Sequence, residues 1–244
     1  MRVAVFVTCM NNMLYPRTGV AVVTVLERLG VSVDYVENQT CCGQMHLNAG
    51  YRREGLVLAR RTLDAFEHAD AVVVPSGSCT STMRHLWGDV ARDEDDTAVS
   101  SRLRDFAPRV YEFSEFLVDR LGVVNVGARF PHTVAYHPTC HSLRHLRVGD
   151  RPTQLLRAVE GLTLLEIERP DSCCGFGGVF AVKNSEVSAA MGLDKIEEFR
   201  RSSAEYLCAS DNSCLTHLRT LSERHGPSVP TVHLAEILAT QEIR

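Results

Sequence analysis

Two rhythms of apolar and polar positions run through the 244-residue chain. Short runs rich in β-branched residues, Val3–Thr8, Val31–Val36 and Ala71–Val74, are followed later by Thr133–Tyr136, Leu162–Ile167 and Tyr206–Ser210. Runs of this length and composition predict buried strands. Between them, apolar residues recur at helical spacing. That spacing predicts helices over Thr18–Leu29, Tyr51–His68 and about Cys79–Trp87, and again over Pro152–Val159, over Glu186–Arg200 and from Asp211 through Cys214 onward. Gly30 is placed to stop the first helix, and Pro152 stands where a first turn tolerates proline. Two further apolar stripes, Val110–Leu121 and Thr231–Ala239, predict a closing helix for each half. The segment 89–109 is the least regular, and its acidic run Asp93–Asp96 predicts a solvated turn.

Alternating strands and helices imply a parallel sheet with right-handed crossovers, an α/β fold. The plan occurs twice, and Val232-His233-Leu234-Ala235-Glu236-Ile237-Leu238 echoes Val110–Leu117. The expected architecture is therefore an internal duplication. Two similar Rossmann-like halves, each with its own parallel sheet, would be related by pseudo-twofold symmetry. A first module covers residues 1–125 and a second 126–244, with Gly122–Pro131 as the connection.

Composition narrows the class of protein without choosing a function. A content of 45% hydrophobic and 23% charged residues is ordinary for a globular chain. A net charge of −4 gives no electrostatic reason to expect nucleic acid or a membrane surface as partner. Nor is there an apolar run of about 18 residues, the length a membrane span needs. The opening residues Met1–Thr8 read as a strand and not as a secretion signal. The expected compartment is the cytoplasm, where thiols stay reduced and repeated cysteine spacings point to metal or redox chemistry.

The cysteines change the picture most. Cys41-Cys42-Gly43 recurs as Cys173-Cys174-Gly175. Cys9 precedes the first pair with 31 residues between, and Cys140 precedes the second with 32. Cys79 follows the first pair after 36 residues, and Cys214 follows the second after 39. Eight of nine cysteines thus form two sets: Cys9, Cys41, Cys42, Cys79, and Cys140, Cys173, Cys174, Cys214. Each lies in or beside a loop that follows a predicted strand. In a parallel sheet such loops share the carboxyl edge, so residues far apart in sequence should converge.

Four converging thiolates match an iron–sulfur cluster or a tetrahedral zinc ion. Adjacent cysteines have diverging side chains, which suits several iron atoms better than one small ion; zinc remains the alternative. Gly43, Gly175, Gly177 and Gly178 are candidate cofactor-binding positions, since glycine permits positive φ and close backbone approach. His137 and His141 flank Cys140, whereas Phe6 and Met10 occupy the matching places around Cys9. These two histidines are candidates for catalysis, proton transfer, sulfur hydrogen bonding or iron ligation, with backbone capping as the plain alternative. His46 is a weaker candidate for a supporting role. Cys208 falls within a predicted strand and reads as a buried, inert side chain.

The motifs Ser76-Gly77-Ser78-Cys79, Tyr136-His137-Pro138-Thr139-Cys140-His141, Cys173 through Val182, and Asp211-Asn212-Ser213-Cys214-Leu215 resemble the cysteine-rich CCG-domain family. That family includes the heterodisulfide reductase B subunit and iron–sulfur subunits of glycolate- and glycerol-3-phosphate-oxidising systems. The resemblance covers nearly the whole chain. It implies an iron–sulfur electron-transfer subunit in the oxidation of L-lactate to pyruvate, not active alone. The implied partners are a ferredoxin-like iron–sulfur protein and a third subunit of the lactate utilization complex. In the heterodisulfide reductase pattern the last element is Cys-x-x-Cys, and here Ser76 and Asp211 stand where the first of those cysteines would be. That departure favours a conventional 4Fe–4S cluster, or one with a non-cysteine ligand, over the noncubane clusters of that relative. Two other functions stay open at this stage: a thiol–disulfide redox enzyme of the heterodisulfide type, and a zinc-binding scaffold subunit.

Overall fold

The computed structural model describes residues 1–241; the last three residues of the expected second module, 242–244, lie outside the described residues. The first half contains strands β1 (Val3–Val5), β2 (Val33–Asp34), β3 (Ala71–Val74) and β4 (Val110–Glu112). The second contains β5 (Thr133–His137), β6 (Thr163–Leu165), β7 (Tyr206–Ala209) and β8 (Thr231–His233). The sheets run β2-β1-β3-β4 and β6-β5-β7-β8, and every pairing is parallel. The α/β duplication expected from sequence is therefore present, with a fourth strand in each half. Among the described residues no helix is long and apolar enough to cross a membrane.

Three corrections to the expected elements follow from edge strands and caps. Val110–Leu121 is not one helix: Val110–Glu112 joins β3 as an edge strand, and the chain turns helical only at Phe113. Thr231–Ala239 divides in the same way, into β8 and the helix Leu234–Ala239. The segment 89–109 is largely helical, through Trp87–Asp93 and Thr97–Phe106. Here Asp96 caps the second helix by accepting from the Val99 N–H, so one residue of the acidic run is a helix start. Three short helices, Cys9–Leu14, Gln44–Asn48 and Val179–Lys183, occupy stretches expected to be loop.

The core explains how the halves are joined. One apolar cluster contains Val3, Val22 and Leu26 from the first half together with Val134, Leu155, Ile237 and Leu238 from the second. It lies between the two sheets. The helix Pro16–Arg28 packs on Leu234–Ala239, and the turn at Phe113–Glu115 packs on the helix Arg151–Arg157. These two contacts are counterparts under the pseudo-twofold. The outer faces of the sheets are covered separately, one cluster per half. Arg28 fastens the join: its guanidinium donates to the carbonyls of Val126 at 3.1 Å, Leu238 at 3.0 Å and Ala239 at 2.6 Å.

Candidate metal centre

Parallel strands deliver their following loops to one edge, and in this protein the two carboxyl edges meet. All eight cysteines of the two sets line a single cavity of about 110 Å³. Cys42, Cys79, Cys174 and Cys214 are buried, while Cys9, Cys41, Cys140 and Cys173 are half-buried nearer the mouth. Within the first set, Cys9 Sγ lies 3.4 Å from Cys41 Sγ and Cys42 Sγ lies 3.3 Å from Cys79 Sγ.

Local backbone fixes the pairs. Gly43 and Gly175 have φ of +80° and +86°, the left-handed region that glycine adopts without strain. Each turns its own N–H back on the preceding pair, toward Cys41 Sγ and Cys173 Sγ at 3.4 Å. The indole N–H of Trp87 donates to the Cys42 carbonyl at 2.8 Å, and the Ser188 hydroxyl donates to the Gly175 carbonyl at 2.8 Å. A side chain at Gly175 would place its Cβ 2.4 Å from the Ser188 carbonyl oxygen. Gly177 and Gly178 line the cavity, and Gly178 approaches Met45 of the other half.

Thiols this close do not titrate alone. Hydrogen bonds from Cys42 and Cys9 push the Cys41 thiol far down, against burial and with help from the Gly43 N–H. Cys140 and Cys174 do the same for Cys173. Cys9 and Cys140 are pushed up by hydrogen bonding to that neighbour and by burial. One thiolate per set thus forms readily, while Cys9 and Cys42 in the first set and Cys140 and Cys174 in the second resist ionisation until a cation offsets the repulsion.

The halves clasp each other beside the cysteines. The Ser76 hydroxyl donates to Asp211 Oδ2 at 2.9 Å, and the Ser78 N–H donates to the same oxygen at 3.0 Å. Burial works against the Asp211 charge, but hydrogen bonds from Ser213, Ser78 and Ser76 outweigh it and hold the carboxyl below its ordinary range. Asn212 donates to Asn11 Oδ1 at 2.9 Å, and the missing side chain at Gly77 makes room for Ser142. The two residues standing at the absent cysteine positions have therefore become a bridge between the halves. Sequence reasoning noted the departure without foreseeing its partner, because nothing local links positions 135 residues apart.

His141 and His137 separate. His141 lines the cavity, 3.6 Å from Cys140 Sγ through Nδ1 and 3.3 Å from Gln44 of the other half through Nε2. His137, at the end of β5, is fully buried, and neither ring nitrogen has a hydrogen-bond partner. Burial first, and nearby Lys195 second, push its pKa down to about 4 and favour the neutral ring. His46 is exposed. Cys208 sits in β7, fully buried, its thiol pushed up by burial. Lys195 and Glu198 form a fully buried ion pair at 2.8 Å, and Lys195 also donates to the Arg169 carbonyl at 2.6 Å, near the Cys173 loop. The spacing that predicts the helix Glu186–Arg200 carries no sign that this pair is buried.

A family profile described as CCG, cysteine-rich domain, matches residues 3–84 and 134–219, one copy in each half. Over 241 residues the chain is 40% identical to lactate utilization protein A of Macrococcus caseolyticus, covering 99% of this chain and 97% of that protein. Its counterpart from Oceanobacillus iheyensis is 39% identical over 244 residues, covering 98% and 97%. Lactate utilization protein A 2 of Bacillus cereus is 36% identical over 239 residues, covering 98% of each. Among solved structures, glutamate racemase of Francisella tularensis overlays with a TM-score of 0.33 at 12% identity, covering 98% of this chain and 78% of that one. That likeness is too slight to carry an argument.

Proposed function

From the premise that this chain belongs to the CCG cysteine-rich domain family, with two copies of the domain, we propose that it is an iron–sulfur electron-transfer subunit of a system that oxidises L-lactate to pyruvate. A part in lactate utilization follows from full-length relatives that carry that name. The electron-transfer reading rests on one observation: two sets of four cysteines line one cavity. The donor set fits the group. Soft thiolates at this density suit iron and sulfide, and the sulfur pairs at 3.3 and 3.4 Å are not joined as disulfides, which need about 2.05 Å. The fully buried, unpartnered His137 beside the second set is a further donor for such a group.

In this reading Cys9, Cys41, Cys42 and Cys79 hold one centre, and Cys140, Cys173, Cys174 and Cys214 hold the other. An iron–sulfur cluster supplies one-electron storage when bound. The chain's own residues do the rest. The Gly43 and Gly175 N–H groups donate toward thiolate sulfur and stabilise its charge. His141 and Gln44 stand on the cavity wall where a small acid or a partner's side chain can be met and a proton passed. The partners proposed are a ferredoxin-like iron–sulfur protein, which takes the electrons onward, and a third subunit of the complex.

The test is the iron and acid-labile sulfide content of protein purified without oxygen. Near-equal iron and sulfide with a broad visible absorption band is expected. Cys42→Ser and Cys174→Ser should each remove one centre's share and leave the other's. Zinc without sulfide, or no metal after anaerobic reconstitution, overturns the proposal.

A further inference from the structure

Both sets present four thiols, but what lies behind them differs. Behind the first set Phe6 follows β1 and meets Phe66, with ring centres 5.7 Å apart, inside an apolar cluster. The register of β1 and β5 puts His137 at the matching place behind the second set. An imidazole put where its twin is a phenyl ring gives up apolar contacts. It also leaves two buried polar atoms without partners, which is unfavourable. Buried polar groups are paired in nearly all proteins, so an orphan of this kind calls for a partner that binds later.

The neighbours say what that partner is. One ring nitrogen of His137 and the Sγ atoms of Cys174 and Cys214 lie within 4.8 Å of one another, all three buried. No carboxylate or carbonyl holds the ring by hydrogen bonding. Lys195, fully buried nearby, is engaged with Glu198 and the Arg169 carbonyl and leaves the imidazole free. A neutral imidazole facing two thiols is a ligand set for a soft or borderline transition metal.

We propose that His137 is a nitrogen ligand of the metal centre held by Cys140, Cys173, Cys174 and Cys214, so that the chain carries one all-thiolate centre and one mixed thiolate–imidazole centre. This rests on the iron–sulfur reading above. Imidazole adds a neutral nitrogen donor to one centre only, so the two centres differ in reduction potential.

The experiment uses full-length protein labelled with ¹⁵N-histidine, purified without oxygen and partly reduced. Pulsed electron paramagnetic resonance then looks for histidine nitrogen coupled to the cluster spin. Coupling is expected in the wild type. It should vanish in His137→Phe, which copies the first half, and persist in His141→Gln. Potentiometric titration should show two reduction steps in the wild type, and only one of them should move in His137→Phe. A wild type with full iron and sulfide but no histidine coupling overturns the inference while leaving the iron–sulfur reading intact. So does coupling that survives His137→Phe. Absence of iron and sulfide overturns the reading itself. The wild-type measurement decides even where His137→Phe does not fold.

Discussion

Glu112 and His233 end the last strands of the two halves and do the same job with different chemistry. Glu112 accepts from the Ser114 N–H at 2.8 Å and the Glu115 N–H at 3.3 Å; His233 Nδ1 accepts from the Ala235 N–H at 3.1 Å. Each caps a helix, and each is buried with one further polar atom unpartnered. Burial pushes the Glu112 carboxyl up from an ordinary 4.5 to about 7, overcoming the hydrogen bonds that pull it down. Below pH 4.5 the carboxyl is protonated whether the chain is folded or not, and its contribution is fully present. Above that, the unfolded chain ionises first, so stability falls as pH rises toward about 7, and the loss is complete beyond it. The full loss is on the order of 3 kcal/mol. Glu112→Gln keeps the cap without the charge. Urea unfolding should therefore find the variant gaining on the wild type by roughly 1–3 kcal/mol between pH 5 and pH 8; a constant difference would refute the account.

At the scale of elements, the cysteine loops depend on how closely backbone can approach backbone. Gly175→Ala would press a methyl group onto the Ser188 carbonyl at a φ of +86°. Metal analysis of this variant should show the second centre lost and the first retained. Gly122→Ala serves as control: its φ is +68° but nothing lies within 4 Å. It should cost only about 1–2 kcal/mol in thermal unfolding and keep both centres. The strands that precede the cysteine loops, β1, β2, β3, β5, β6 and β7, were legible as short apolar runs. The last strand of each half was not. Val110–Glu112 and Thr231–His233 are three residues each, and three residues cannot distinguish a period of 2 from one of 3.6. Convergence of the cysteines was legible from the strand order. That both sets would share one cavity was not, since it depends on how two sheets pack, and no local pattern encodes that.

At the scale of the molecule, the apolar cluster between the sheets belongs to both halves. Residues 1–125 alone would expose Val22, Leu26 and Phe116 to water, and residues 126–244 alone would expose Leu155, Ile237 and Leu238. Either piece expressed by itself should show no cooperative unfolding transition in circular dichroism, whereas the whole chain should show one. A piece that melts cooperatively as a monomer would contradict this. The two modules are then units of sequence and topology, joined in stability.

The place of His137 opposite Phe6 has a meaning for descent as well as for chemistry. Two identical CCG chains paired about a true twofold axis would set the same side chain behind both cysteine sets, because symmetry copies every substitution. Once the copies are joined in one gene, a change can be written on one side of the axis only. Ser76 facing Asp211, Asn11 facing Asn212 and Phe6 matched by His137 are marks of that freedom. Tandem duplication let two equal sites grow unequal, and on the iron–sulfur reading unequal sites would give electrons a direction.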